Sequence, residues 1–428
     1  MDRFIIRGGY PLQGTVEVSK SKNAALPIMA AALLAEGKTV IKDCPRLSDV
    51  TAMSDLLRVL GASVTRRGED LVIRVVDESK IEAPYDIVRK MRAGFFVLGP
   101  VLARRKVARV SMPGGCVIGL RPVDLHLKGL RALGARIEVD SGYVVAEAPR
   151  LRGASIYLGG PFGSTVGGTA NVVMAAVLAE GTTVIENAAC EPEVVNLMQC
   201  LNRMGAHIKG IGSPHLEIRG VRRLVGCTCE LIPDRIEAGT FMAAAAATRG
   251  DVTIRNFRMD HLHAVVDQFA QAGISVTPNG GESCRVTAVG KFKPVDVATL
   301  PYPGFPTDLQ AQFMTLLAVA DGVSVITEKI YPDRFMHVAE LGRMGADIRK
   351  EGPHAIISGR PSLSGAPVMA SDLRASAALV VAGLMADGET EIRRVYHIDR
   401  GYEHIEKKLR KLGAQIRRVS DDQPTPPT

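Results

Sequence analysis

Six times along this chain a helical stretch closes on a Leu/Met-Gly-Ala type signal and runs into a strand. The signals are LGASV at Gly61, LGARI at Gly134, MGAHI at Gly205, AGISV at Gly273, MGADI at Gly345 and LGAQI at Gly413, about 70 residues apart. Self-similarity at a fixed period means a repeat architecture, which constrains the fold more than any local propensity does. Upstream of each signal an Ala-rich helix ends before another strand. Five of these helices end in glycine, at Gly37, Gly181, Gly250, Gly322 and Gly388, and the second repeat reads ARRKVARV (103–110) instead. Glycine just past a helix is the left-handed C-terminal cap, which accounts for its recurrence.

The repeats carry helices such as NAALPIMAAALLA, ANVVMAAVLA and ASAALVVAGLMA, apolar nearly all round, beside half-exposed strands such as TVIEN and EIRRV. Helices of that kind are buried on more than one side. The pattern predicts helices inside and sheets outside, three repeats to a lobe. CTCELIP breaks it between Val221 and Pro233. We expect one lobe over 22–230, a second built from 1–21 with 231–418, and a disordered tail over 419–428. No run of about 18 apolar residues suggests a membrane span, and MDRFIIRGGYPLQG has no signal-peptide pattern, so the chain reads as cytoplasmic. Its seven cysteines are an odd number and do not look like a disulfide framework. Cys227 and Cys229 form CxC with no matching pair, which argues against zinc. Nothing points to a metal or a cofactor. The net charge of +8 comes with no tryptophan and 4% aromatics. Spread cations without stacking rings argue against a nucleic-acid surface and fit a small anionic substrate.

One stretch stands apart, SMPGGCVIGLRPVDLH at 111–126. Gly114-Gly115 frees the backbone, Cys116 follows, Gly119 is a second soft point, and Pro122 suits the first turn of a helix ending at Gly134. The composition predicts a lid over 112–121 carrying a thiol. A Gly-rich surface turn with an inert cysteine fits the loop equally well. Arg121 stands at that helix start, where a cation costs about 0.3–1 kcal/mol. Lys22, Arg334, Arg374 and Arg400 also read as first-turn cations. Five such residues drawn from both halves suggest a cleft for phosphate and carboxylate. Ser21 opens the first helix, Asp234-Arg235 another, and Thr307 to Gln310 reads as a capping box. Ser371 reads as a cap before Asp372 and Arg374. Tyr331 to Arg334 reads as the start of the helix before that one, and Asp399-Arg400-Gly401 as the start of the last.

SKNAALP (21–27), APYDIVRKMRA (83–93), GGCVIGLRPVDLH (114–126), FPTDLQAQF (305–313), DRFMH (333–337), DLRASAALV (372–380) and HIDRGYE (397–403) together closely resemble the UDP-N-acetylglucosamine enolpyruvyl transferase family. The resemblance runs from Asp2 to about Arg417. It implies a two-lobed inside-out α/β barrel of six βαβ-type repeats. It also implies transfer of the enolpyruvyl group of phosphoenolpyruvate to the 3-hydroxyl of UDP-N-acetylglucosamine, with release of phosphate, in peptidoglycan synthesis. By resemblance Lys22, Arg121 and Arg400 hold phosphoenolpyruvate. Cys116 is the general acid and the site of alkylation by fosfomycin, and Asp308 takes the proton of the sugar hydroxyl. Asn23, Arg92, Pro122, Val123, Asp124, Leu125, Asp308 and Ile330 match sugar-nucleotide contacts, and Arg334, Arg374, Glu191 and Asp234 match further cleft residues. For Glu191 a capping role before Pro192 fits as well.

There is one departure. Many members carry Lys-x-Ser-Val-Gly-Ala-Thr on the uridine side, whereas this chain reads FGSTVGGT at 162–169, with Gly163 near the lysine position. Ser164, Thr165 and Val166 are the residues carried over there. Two other readings compete: a sister transferase acting on shikimate 3-phosphate, and a binding protein that kept the cleft without catalysis. The Cys116 loop argues against the first. Joint retention of Lys22, Cys116, Asp308 and Arg400 argues against the second.

Overall fold

The computed structural model describes residues 2–113 and 123–420. Among these, the chain forms two compact units, one of residues 20–113 and 123–232, the other of 2–19 and 233–420. Of the lid expected over 112–121, residues 114–121 lie outside the described residues, as do 421–428 of the tail expected over 419–428. Val419 and Ser420 are not disordered but end the strand Gln415–Ser420, paired with Arg3 and Asp2.

Each unit holds three four-stranded sheets, and all six share one pairing order: parallel, antiparallel, antiparallel. In the first unit Thr39–Lys42 pairs in parallel with Thr228–Glu230, so the segment that ends the unit completes the sheet that begins it. The second unit closes differently. Asp2–Arg7 lies antiparallel between Glu389–Arg393 and Gln415–Ser420, and Gln13–Glu17 runs parallel to Asp251–Arg255. Phe4 and Ile6 are fully buried there, which ties the N-terminal strands to the C-terminal unit.

The strands alternate buried and exposed residues, as in Thr182–Glu186 and Glu389–Arg393, so one face of each sheet meets water. The helices do not alternate. Every residue of Arg235–Ala247 is buried, as is nearly all of Leu373–Met385. These two helices and Gln310–Leu317 pack on one another, and their alanines leave room for close approach. No helix among the described residues is long and apolar enough to cross a membrane.

Of the two glycine series, one caps helices. Gly61, Gly134, Gly205, Gly273, Gly345 and Gly413 have φ of +80, +95, +104, +82, +91 and +97°, each following the last residue of a helix by two. The next N–H returns to the last turn, as from Ala135 to the Leu130 carbonyl at 3.1 Å and from Ala346 to Leu341 at 3.1 Å, which is the Schellman bond. The other series behaves differently from expectation. Gly37, Gly181, Gly322 and Gly388 have positive φ but sit at turns into strands, some residues beyond their helices. At Gly250 the left-handed residue is Arg249, φ +53°. Gly250 itself is required by proximity, since a Cβ would lie 2.3 Å from the Leu12 carbonyl oxygen. In the second repeat Lys106 takes the left-handed position, φ +67°. The cysteines also depart from expectation: Cys200 and Cys229 form a disulfide.

The C-terminal turn of His337–Arg343 offers a paired test of these glycine roles. Gly342 lies inside the helix with nothing within 4 Å of a built Cβ, whereas Gly345 has φ +91°. Gly342→Ala is expected to stabilise the protein by about 0.5–1 kcal/mol. Gly345→Ala is expected to destabilise it by about 1–2 kcal/mol. Denaturant unfolding of both variants checks the contrast; equal effects would deny Gly345 its cap.

Candidate active site

In the first unit Ser21 caps Lys22–Ala31, its hydroxyl accepting from the Ala24 N–H. Lys22 stands in that first turn and is buried, with Nζ 2.9 Å from the Asp49 carboxylate. Asp49 occupies the first turn of Ser48–Val59. It answers both a buried cation and the unfavourable end of a helix dipole. Asn23 is half-buried, and so is Arg92 at the start of Arg92–Val97.

Val123 is buried at the cap of Asp124–Ala132, Asp124 is exposed, and Leu125 is half-buried. His126, one turn in, is buried. Burial first, and the charge of Arg92 second, push its imidazole down to about 3. The Asn171 amide nitrogen donates to His126 Nδ1 at 2.8 Å and to the Phe95 carbonyl at 3.0 Å, while its oxygen accepts from Gly99 N–H at 2.8 Å. A neutral ring accepting at Nδ1 satisfies all four groups.

Thr165 caps Val166–Ala176, accepting from the Gly168 N–H at 3.1 Å. Ser164 belongs to the short strand Gly163–Ser164, and Val166 is exposed. Gly163 has φ +93°, a backbone a lysine would adopt only with strain. Glu191 sits at the cap of Pro192–Arg203, but its side chain makes no capping bond. Cys116, Arg121 and Pro122 lie outside the described residues.

The second unit assembles a denser group. Asp308 accepts from Arg334 Nη1 at 2.7 Å and from Arg374 Nη2 at 2.9 Å and Nε at 3.1 Å. Burial pushes the Asp308 carboxyl up, but Arg374 and Arg334 outweigh it and hold it well below the usual carboxylate range. Both guanidiniums are buried, and the carboxylate raises the pKa of each against that burial. Arg374 also donates to Tyr402 OH at 3.2 Å, which lies 2.8 Å from Thr240 Oγ1. Behind Arg334, Thr307 Oγ1 donates to Glu328 at 2.9 Å and accepts from Arg334 at 3.0 Å. Glu328 is wholly buried. It also accepts from Thr299 Oγ1 at 2.6 Å and from the backbone N–H groups of Ile330 and Tyr331 at 2.9 and 3.0 Å. His337 is buried beside this group, its ring pushed down to about 4 chiefly by burial.

Several helix starts differ from expectation. Thr307 and Gln310 form no capping box, because the Thr307 hydroxyl is committed to Glu328 and Thr307–Leu309 is a 3-10 turn. Asp372, not Ser371, caps Leu373–Met385, accepting from the N–H groups of Arg374 and Ala375 at 2.8 and 3.1 Å. Arg334 precedes its helix, which begins at His337, and Arg400 ends the 3-10 segment Val395–Arg400. Asp234 caps Arg235–Ala247 through the Ile236 and Glu237 N–H groups. Sequence reasoning missed Asp49, Glu328, Tyr402, Thr240 and Asn171. The one local signal was Asp49 in a helix first turn; the others are fixed by distant contacts.

Chemically, Asp308 is an ionised acceptor between two cations. It is a weak base as it stands, and an anion that drew a guanidinium away would strengthen it.

The family model described as EPSP synthase (3-phosphoshikimate 1-carboxyvinyltransferase) matches residues 6–409. A protein of Desulfosudis oleivorans named UDP-N-acetylglucosamine 1-carboxyvinyltransferase is 56% identical over 98% of this chain and all of its own. UDP-N-acetylglucosamine 1-carboxyvinyltransferase 2 of Carboxydothermus hydrogenoformans is 54% identical over the same shares. The crystal structure of the enolpyruvyl transferase NikO from Streptomyces tendae aligns with TM-score 0.88 and 26% identity, covering 98% of this chain and 99% of that one. EPSP synthase from Acinetobacter baumannii, at TM-score 0.74 and 20% identity over 98% of this chain and all of its own, shares the fold. The chain belongs to the enolpyruvyl (carboxyvinyl) transferase family.

Proposed function

We propose that this enzyme transfers the enolpyruvyl group of phosphoenolpyruvate to the 3-hydroxyl of UDP-N-acetylglucosamine and releases phosphate, an early step of peptidoglycan precursor synthesis in the cytoplasm. The observation that carries the reading is the full-length similarity, above half identical, to proteins named for that reaction. The common pairing order of the six sheets supports a six-repeat, two-lobed inside-out α/β barrel, with lobes over 22–230 and over 1–21 with 231–418.

In this reading Lys22, Arg121 and Arg400 hold the phosphate and carboxylate of phosphoenolpyruvate. Cys116 gives its proton to the methylene carbon while the sugar oxygen, losing its proton to Asp308, bonds to the adjacent carbon. Elimination then removes a proton from the methyl group so formed, breaks the carbon–oxygen bond to phosphate, and so restores the double bond and expels phosphate. Asn23, Arg92, Pro122, Val123, Asp124, Leu125, Ser164, Thr165, Val166 and Ile330 contact the sugar nucleotide. Arg334 and Arg374 take substrate anions, and in doing so loosen their hold on Asp308 and raise its basicity.

Phosphate release from phosphoenolpyruvate, run with UDP-N-acetylglucosamine and beside it with shikimate 3-phosphate, tests the reaction. Release only with the sugar nucleotide is expected. Release only with shikimate 3-phosphate would move the chain to the activity that the family model is described by.

Asp308→Asn is expected to lower kcat by about 10²–10⁴-fold, and an unchanged kcat would remove Asp308 from proton transfer. Because its pKa is held low, Asp308 stays in its base form as pH falls until well below the ordinary carboxylate range. The acid limb of kcat/KM, which reports the free enzyme, should therefore lie at lower pH than that of kcat, which reports the complex. Coincident limbs would mean the arginines are not drawn off. Cys116→Ser is expected to abolish covalent labelling by fosfomycin; labelling at another cysteine would reassign the reactive thiol.

A further inference from the structure

Three cysteines that the proposed reaction does not use meet in the first unit. Cys200 lies in the helix Pro192–Arg203 and Cys229 in the strand Thr228–Glu230. They are bonded as a disulfide, with Cα atoms 5.7 Å apart. Cys227, two residues before Cys229, places its Sγ 3.5 Å from that of Cys229. All three sulfurs lie within 4.8 Å of one another. Their exposure differs: Cys200 and Cys229 are 2% and 1% exposed, whereas Cys227 is half-buried and reaches solvent.

The bonded strand has a structural role. Thr228–Glu230 pairs in parallel with Thr39–Lys42 and so completes the first sheet. It leads into Ile232, whose carbonyl accepts from the Ser21 N–H at 2.8 Å ahead of the Lys22 helix. The helix already grips this segment one turn earlier. Asn196 donates to the Glu230 carbonyl at 3.0 Å and accepts from the Ile232 N–H at 3.2 Å. Asn196 and Cys200 are four residues apart and share a helix face, so the disulfide is a second clamp on the same strand.

We infer that Cys200, Cys227 and Cys229 form a thiol–disulfide relay, in which the half-exposed Cys227 passes oxidising equivalents from a small-molecule disulfide to the buried pair that clamps this strand. The Cys227 thiolate attacks a disulfide RSSR, forming a mixed disulfide and releasing one RS⁻. The Cys229 thiolate then attacks Cys227 Sγ, displaces the second RS⁻ and forms Cys227–Cys229. The Cys200 thiolate finally attacks Cys229 Sγ, displacing the Cys227 thiolate and leaving Cys200–Cys229. The protein loses two thiol protons and two electrons, and RSSR becomes two RSH. The final exchange is an isomerisation that needs no further oxidant. A thiol buried as deeply as Cys200 or Cys229 gives a solution disulfide no line of attack, which is why the half-exposed third sulfur matters. A structural metal site would want a fourth ligand, and among the described residues the group holds only these three. Burial raises the Cys227 pKa, with Arg203 opposing it, so the entry step should quicken as pH rises.

The test starts from the reduced full-length protein and adds oxidised glutathione. Samples are quenched in acid and alkylated, and the linkages are read by peptide mapping. The expected end state is Cys200–Cys229 with Cys227 free, preceded by glutathione on Cys227 or by Cys227–Cys229. Cys227→Ser should slow formation of Cys200–Cys229 at least tenfold. Cys200→Ser should stop the sequence at Cys227–Cys229. An unchanged rate in Cys227→Ser would overturn the relay and leave a directly formed structural disulfide. No linkage among the three would overturn it as well. So would reduced protein that takes up one zinc ion per chain through these thiols and then resists oxidation, in favour of a metal site.

Discussion

The constraint on which the second unit depends is the complete burial of its central helices. A helix enclosed on every side must also bury its ends, where N–H groups lack intrahelical partners. Two of these helices meet that demand with a capping carboxylate, and the third, Gln310–Leu317, follows the 3-10 turn Thr307–Leu309 without a side-chain cap. Asp234 and Asp372 cap two of the three helices. The polar side chains of those first turns, Arg374 above all, cannot reach bulk water and must find partners. Those around Arg374 find them in one another: Arg374 with Asp308 and Tyr402, Tyr402 with Thr240, and the Gln312 amide nitrogen with Thr240 at 3.1 Å. Among the described residues the buried Gln310 amide makes no such bond. The charged group proposed for catalysis is thus also the means by which Arg374 and Asp308 are buried without orphaned charge. Glu328 extends the same logic outward by fixing Thr307 and the Ile330–Tyr331 backbone with a single buried carboxylate.

The first unit solves the same problem with fewer charges. Lys22 has Asp49, and His126 stays neutral against Asn171. A protonated His126 would be a second buried cation near Arg92, and its depressed pKa expresses that cost. Asn171, on the buried face of Val166–Ala176, holds together the Phe95 turn, the start of Leu98–Arg105 and His126. The 166–176 helix begins at the Gly163 departure, where a left-handed backbone and the Thr165 cap set the chain direction.

Much of this was legible in the sequence where the cause is local. The helix-capping glycines were readable because a left-handed residue two positions past a helix disfavours a Cβ, a cause that acts within a few residues of sequence. The Ser21 and Asp234 caps were readable for the same reason. Readings failed where a local signal had a distant competitor. Thr307 looked like a cap, but the buried Glu328 carboxylate claimed its hydroxyl. Gly250 looked like a cap glycine, but its missing Cβ makes room for the Leu12 carbonyl, far away in the chain.

The sequence by itself determined the periodicity, the near-complete burial of the Ala-rich helices and the family, because each is written in residue type and spacing. Only the tertiary structure decided which charges meet. Asp308 and Arg374 lie 66 residues apart in sequence, and nothing in their neighbours marks them as a pair. Asp2–Arg7 joined the last sheet and Cys229 joined Cys200 for the same kind of reason. Pairing across long loops is set by which surfaces must be covered and which buried charges must be neutralised, and the chain settles both only when it packs.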